Sequence, residues 1–141
     1  MAAEADNRWE RGSMAAEAVL LTPLIFLLIL FVVAFGRVEQ ARIEIANAAR
    51  GSVEAAVVWP TASQAIAAGE ATGAFTLHSS RISCTKYRVE INTSNFVPGG
   101  SVGSTIYCTV LLSDVAFPGL PGSLTLTGHA SAPLETYRSF Q

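Results

Sequence analysis

Residues 18–35 read AVLLTPLIFLLILFVVAF, a run of apolar residues that no charge interrupts. As a helix this run spans roughly 27 Å, since each residue adds 1.5 Å, and a bilayer's hydrocarbon core is about 30 Å thick. The remaining chain is too small to cover such a helix on all sides inside a soluble core. The run ends in Phe35-Gly36-Arg37, a poor signal-peptidase site, so the sequence predicts a retained transmembrane helix.

The composition of the chain is that of one small domain with a membrane anchor. The 141 residues are 50% hydrophobic and 14% charged, whereas about 25% of the residues of an ordinary soluble domain are charged. The formal net charge is −2, so the chain carries no basic field that could hold a nucleic acid backbone. We therefore expect the lipid bilayer, and no nucleic acid, among its partners.

The segment that leads into the apolar run carries a recognisable signal. Arg11-Gly12-Ser13-Met14-Ala15-Ala16-Glu17 places a glutamate five residues after a glycine, directly before the hydrophobic helix. This arrangement resembles the type III signal of type IV prepilins. The longer stretch RGSMAAEAVLLTPLIFLLILFVVAFGR resembles the N-terminus of TadE-like proteins, the minor pilins (pseudopilins) of tight-adherence (Tad/Flp) pili. The strings NFVPGG, LPGS and APLETYR, with the cysteine pair, resemble actinobacterial members.

The resemblance implies specific roles for three residues. A prepilin peptidase would cleave between Gly12 and Ser13, because glycine allows the enzyme close access to the backbone. Glu17 would then pair with the new Ser13 amine of a neighbouring subunit. The implied partners are the peptidase, the major Flp-type pilin, other minor pilins and the assembly platform in the membrane. Met14 is an alternative start that would remove the leader.

The orientation in the membrane follows from three features together. Arginines lie on both sides of the apolar run, and their count slightly favours the C-terminal flank as the cytoplasmic side: Arg8 and Arg11 before it, Arg37, Arg42 and Arg50 after it. However, the N-terminal tail is short, the folded domain lies beyond the run, and a cysteine pair suits an oxidising compartment. We therefore predict a single-pass cell-membrane protein with a cytoplasmic N-terminus and an extracytoplasmic C-terminal domain. Whether it enters the pilus stays open.

Beyond Arg37 the helical pattern continues as an amphipathic helix. One stripe at helical spacing is made mostly of small residues: Val38, Ala41, Ile45, Ala48, Ala49, Ser52 and Ala56. The opposite face is polar. This stripe fits close packing, either on the chain's own C-terminal domain or on another helix in an assembly.

Trp59-Pro60 ends this helix, because a residue before proline disfavours the α conformation. Thr61-Ala62-Ser63-Gln64 resembles a capping box that opens a short second helix to about Ala71, which Gly69 and Gly73 weaken and end.

The C-terminal part alternates as strands do. Tyr87, Val89 and Ile91 alternate with polar residues, a loop follows at Asn92–Gly100, and a second strand runs through Ile106–Leu112. A third includes Leu124 and Leu126. The sequence thus predicts an α+β fold with a small antiparallel sheet beside the helices. The predicted parts are a leader at 1–12, a transmembrane helix at 13–36, a helical stalk at 37–73 and an extracytoplasmic β domain at 74–141.

The two cysteines, Cys84 and Cys108, fall on the two strands that flank this loop, and we expect a disulfide between them. If they were directly opposite, Tyr87 and its apolar neighbours would lie on the face away from Ile106. A shift of register by one residue would bring Tyr87 and its apolar neighbours to the face of Ile106, so the sequence predicts a β-bulge near Thr85–Lys86. The alternative is that both faces of the sheet are partly covered.

The sequence holds none of the common catalytic motifs. The two histidines, His78 and His129, have no zinc-ligand spacing with the cysteines, so we expect no metal, no cofactor and no enzyme activity. The favoured function is that of a minor pilin in the assembly of a tight-adherence type IV pilus. The alternative is an unprocessed, membrane-anchored ligand-binding or adhesion module unrelated to pili, and cleavage after Gly12 distinguishes the two.

Overall fold

A computed structural model describes residues 6–116 and 119–137, with side chains described from Glu17 onward. The helices are α1 (Asp6–Ala56), α2 (Ala62–Ser79) and α3 (Leu112–Val115), and the strands are β1 (Cys84–Asn95), β2 (Ser101–Leu111) and β3 (Ser123–Pro133). The chain divides into two compact units, Met1–Gly36 and Arg37–Gln141. The expected α+β class, with a long N-terminal helix and a small antiparallel sheet, is confirmed.

The second unit is a two-layer domain in which helices cover one face of a three-stranded meander. The strand order is β1-β2-β3, and both pairs are antiparallel. Alternate residues of β2 are buried, as expected for a sheet with one covered face. The core therefore lies between that face and the C-terminal half of α1, and its largest fully buried side chains are Ile45, Val53, Val102, Ile106 and Val110.

The small-residue stripe of α1 packs on the chain's own sheet. Its members from Ala41 to Ala56 are buried, and Val38 is partly buried against the same core. A Cβ added to Gly128 of β3 would lie 2.7 Å from the Ile45 carbonyl oxygen, so the helix and strand backbones approach closely there. Ser52, fully buried, donates its hydroxyl hydrogen to the Ala48 carbonyl at 3.0 Å. The sequence left two partners open for this stripe, the chain's own domain or another helix. In the structure the stripe packs on the domain's own sheet.

The first turn of α2 forms as the capping pattern predicts. α1 ends at Ala56, before Pro60, and Thr61 in extended conformation is the N-cap. Its side-chain oxygen accepts from the Gln64 N–H at 3.4 Å, and its hydroxyl donates to Gln64 Oε1 at 2.9 Å. The first of these bonds satisfies one of the backbone N–H groups that every helix start leaves open, and the second joins the two side chains.

The predicted end of α2 near Ala71 is wrong. The helix continues to Ser79, and Gly69 and Gly73 are buried within it. A Cβ on Gly69 would lie 2.8 Å from Ile91 Cδ1, and one on Gly73 would lie 3.1 Å from Val89 Cγ1, so both glycines let the helix approach β1. The helix tolerates the glycines, each at a cost of about 1 kcal/mol, because tertiary packing offsets their low helix propensity.

Strand β1 also runs further than expected. It reaches Asn95, so the connection to β2 is only residues 96–100 instead of Asn92–Gly100. The pairing is irregular between Asn92 and Asn95 and resumes where Asn95 faces Ser101. A turn with Gly99 at φ 73° then closes the hairpin, a backbone conformation that favours glycine.

The disulfide between Cys84 and Cys108 is present, with its Cα atoms 5.4 Å apart. The cysteines are not directly opposite: Cys84 faces Val110, whereas Tyr87 faces Cys108. The register shifts between Cys84 and Lys86, so the predicted β-bulge is confirmed.

The bulge decides which face of β1 is covered. Past it, Val89 pairs with Ile106 and Ile91 with Ser104, so the apolar residues of β1 share the helix-covered face. The side chain of the extra residue, Thr85, donates to the Thr109 carbonyl at 2.8 Å. Removing the bulge would turn the apolar face of β1 to the solvent.

We expect the double variant Cys84→Ser/Cys108→Ser to lose about 3 kcal/mol of unfolding free energy, because the cross-link no longer restricts a loop of 24 residues in the unfolded chain. Urea unfolding of the detergent-solubilised chain, followed by aromatic fluorescence, measures this loss. Thiol labelling of the unreduced wild-type chain should find no reactive cysteine, and two reactive thiols before reduction would contradict the bond.

We expect Gly128→Ala to destabilise the second unit by about 1–3 kcal/mol, since the new methyl group would meet the backbone of Ile45. Gly103→Ala on β2 is the matched control, because its Cβ would have no neighbour closer than 3.7 Å. The same urea titration compares the two, and equal stability of both variants would refute the close approach of α1 and β3.

Candidate membrane anchor and assembly site

The first unit presents apolar side chains in every direction. From Val19 to Phe35 its large hydrophobic residues are between 40% and 76% exposed. In the part of the chain that the structure describes, one helix is long and apolar enough to cross a membrane, with its candidate span beginning at Glu17. A helix that is hydrophobic all round needs a surrounding apolar phase. This N-terminal helix therefore fits a single-pass membrane anchor.

A proline lies near the start of the anchor, inside a helix that continues through it. Pro23 lies inside α1 and has no N–H to donate to the carbonyl one turn before it. Next to it, the Thr22 hydroxyl donates to the Ala18 carbonyl at 2.6 Å. Such a bond satisfies the hydroxyl within its own helix, which suits a polar side chain in an apolar environment.

Glu17 is the last charged residue before the uncharged stretch that runs to Gly36. Its side chain is exposed at the beginning of the candidate span. A carboxylate costs about 2.5–3.5 kcal/mol at the centre of a bilayer on insertion scales, and less near the interface. The charge at this position therefore either marks the membrane edge or requires a partner of opposite charge.

Gly12 and Ser13 belong to the backbone of α1, and their side chains lie outside the described residues, as do residues 1–5 of the leader. Ser13 precedes Glu17 by four residues, so a helix places both on one face, roughly 6 Å apart along its axis. Gly12 is the weakest helix former in this stretch, which lowers the cost of opening the helix there by about 1 kcal/mol relative to alanine.

The histidines and cysteines of the second unit have structural contacts. Cys84 and Cys108 are bonded to each other, the His78 ring stands edge-on to Tyr87 at 5.4 Å, and His129 Nδ1 lies 3.2 Å from the Thr105 hydroxyl. Among the described residues no group of three or more histidine, cysteine or acidic side chains could hold a metal. The arrangement brings no nucleophile and base together at these positions.

Comparison with known proteins identifies the N-terminal region. The model of the family described as TadE-like proteins matches residues 12–53. Neither the curated proteins nor the solved structures include a match to this chain. The match begins at Gly12, covers Glu17 and the apolar run, and ends in the small-residue stripe, so the expected relationship to TadE-like proteins is confirmed over these residues. These are structural, non-enzymatic proteins associated with Tad pili.

Proposed function

We propose that this TadE-like chain is a minor pilin of a tight-adherence type IV pilus, processed by a prepilin peptidase and taking part in pilus assembly. The observation that carries the proposal is the family match over residues 12–53, which starts at the glycine of the leader signal and includes the glutamate and the membrane helix. The role is structural, and the chain acts by binding other subunits.

In this proposal the N-terminus is cytoplasmic and the second unit lies outside the cytoplasm. The Cys84–Cys108 disulfide supports that orientation, because such bonds persist in oxidising compartments and are rare in the cytosol. The leader at 1–12 then lies on the side where a prepilin peptidase can reach it. The transmembrane segment is 13–36, and the helical and β regions at 37–73 and 74–141 together form the extracytoplasmic domain.

Processing would make Ser13 the new N-terminus and put a positive charge one helical turn from Glu17. A neighbouring subunit displaced by about one turn along the fibre axis would bring its amine beside this carboxylate. The pair offsets the cost of both charges in lipid and favours one register of docking. Without cleavage the amine lies twelve residues away from this position, so the leader controls when the pair forms.

The exposed apolar surface of the first unit suits two successive environments. In the membrane, lipid chains cover the exposed side chains from Val19 to Phe35. In a growing pilus, the corresponding helices of the major Flp-type pilin and other minor pilins would replace the lipid. The assembly platform in the membrane would transfer the chain from one environment to the other.

We expect cleavage between Gly12 and Ser13 in cells with an active prepilin peptidase. Gly12→Val should block it, because a branched side chain at the scissile bond hinders the approach of the enzyme to the backbone. Gly36→Val is the matched control, since a Cβ there meets no atom within 4 Å. Intact-mass measurement of the membrane-extracted protein gives the result. A wild-type chain that still begins at Met1 would refute the processing and favour an unprocessed adhesion module.

We expect Glu17→Ala to insert into the membrane and to be cleaved, yet to reduce piliation at least tenfold, because the amine of the neighbouring subunit loses its partner. A hydrogen bond to a charged group contributes about 1.5–3 kcal/mol, so its loss lowers the equilibrium constant for subunit docking by a factor of about ten or more. Glu54→Ala, which removes an exposed carboxylate further along the same helix, is the control. Counting pili by electron microscopy measures the effect, and normal numbers with Glu17→Ala would show that Glu17 only marks the membrane edge.

A further inference from the structure

Strand β1 carries a short acceptor pattern that the proposed function leaves unused. Asn92-Thr93-Ser94 has the form Asn-x-Ser/Thr, in which the asparagine amide can receive a glycan outside the cytoplasm. The other asparagines, Asn7, Asn47 and Asn95, have no serine or threonine two residues later. Because patterns of three residues also arise by chance, the meaning of this one depends on whether the structure exposes the reacting groups.

The two side chains that an enzyme must reach lie on the solvent side of the sheet. Near the end of β1, Ile91 and Thr93 are partly buried, whereas Asn92 and Ser94 are exposed. Ile91 lies against Gly69 of α2, so the alternation of a strand puts the asparagine and the serine on the face opposite to that helix. β1 is also an edge strand of the described sheet, which leaves one of its sides open.

The groups that would react and be recognised have no other partner. Asn92 Oδ1 accepts the Ser94 backbone N–H at 2.9 Å, which orients the carboxamide. Among the described residues, no hydrogen bond uses Asn92 Nδ2 or the Ser94 hydroxyl. Gly103 faces Asn92 across the sheet and has no side chain to cover it, and the pairing is irregular from Asn92 to Asn95. The amide nitrogen is therefore accessible to an enzyme.

A carboxylate precedes the acceptor on the same side of the strand. Glu90 lies two residues before Asn92, and its side chain is 41% exposed beside Arg88, with which it forms an ion pair at 2.7 Å. Residues two apart share one face of a strand. An enzyme that holds this segment in an extended conformation thus meets a carboxylate, a carboxamide and a hydroxyl in one row, at Glu90, Asn92 and Ser94.

We propose that Asn92 is an N-glycosylation site, which an oligosaccharyltransferase modifies with a glycan carried on a polyprenyl diphosphate. The amide Nδ2 attacks the anomeric carbon of the first sugar, and the bond from that carbon to the diphosphate oxygen breaks, so the carrier leaves as the diphosphate. The amide gives one proton to a base of the enzyme, and nothing is oxidised or reduced. The Ser94 hydroxyl and the Glu90 carboxylate bind the enzyme.

This inference rests on the proposed function in one respect, the extracytoplasmic position of the second unit, where the pattern is used. It is independent of cleavage after Gly12 and of pilus assembly. The glycan lies on the sheet face opposite to α2, where it adds a bulky and solubilising group to a polar surface.

The test is mass spectrometry of the full chain, extracted from the membranes of the cells that produce it. We expect the tryptic peptide that begins at Val89 to carry the additional mass of an oligosaccharide, and fragmentation to place this mass on Asn92. Asn92→Gln should remove it completely. Asn95→Gln is the matched control, because it changes an exposed asparagine of the same strand that lies outside the pattern, and the modified fraction should stay unchanged.

Two further variants test recognition while Asn92 stays in place. Ser94→Ala should lower the modified fraction about a hundredfold or more, since a site built to bind a hydroxyl rejects the analogue that lacks it. The Ser94 backbone N–H remains, so the bond that orients Asn92 is kept. Glu90→Gln should lower the fraction about two- to fivefold, as the loss of an exposed ionic contact does.

An unmodified Asn92 in a wild-type chain whose Cys84–Cys108 disulfide is formed would overturn the proposal, and so would a modified fraction that is unchanged in Ser94→Ala. An unmodified Asn92 together with two free thiols would overturn the proposed orientation as well. The N-terminal peptide of the same sample shows whether the chain begins at Met1 or at Ser13. Failure of glycosylation and failure of processing are therefore measured separately.

Discussion

The close approach of α1 to the sheet is the constraint on which the second unit depends. The helix presents alanines, one serine and Ile45, and the strand opposite Ile45 presents Gly128, so the two backbones come nearer than larger side chains would allow. With so little side-chain volume between the layers, van der Waals contact is achieved by proximity. Helix α2 follows the same rule, since Gly69 and Gly73 bring it against β1 and against Ser52 of α1.

One continuous helix thereby serves two different environments. Up to Gly36 it is apolar on all sides and has no core of its own, whereas from Arg37 its apolar residues narrow to a single stripe with polar residues opposite. The first pattern suits lipid or a bundle of like helices, and the second suits a two-layer domain. Because the stripe is already buried on the domain's own sheet, most of the exposed large apolar side chains lie in the part of the helix before Gly36.

Charge distribution follows the same division. Glu17 is followed by an uncharged stretch to Gly36, and charged side chains return at Arg37. A carboxylate at the position of Glu17 either marks the membrane edge or requires a partner of opposite charge.

The sequence by itself determined the anchor, the α+β class, the capping of α2 and the disulfide, because these depend on local patterns: an unbroken apolar run, a period of two or 3.6, and a threonine before a helix. It also predicted the bulge, which the structure confirms between Cys84 and Lys86. Tertiary structure alone decided what covers the small-residue stripe and how far α2 continues through its two glycines. A glycine weakens an isolated helix but is required where another element must come close, and the sequence does not show which elements pack on it.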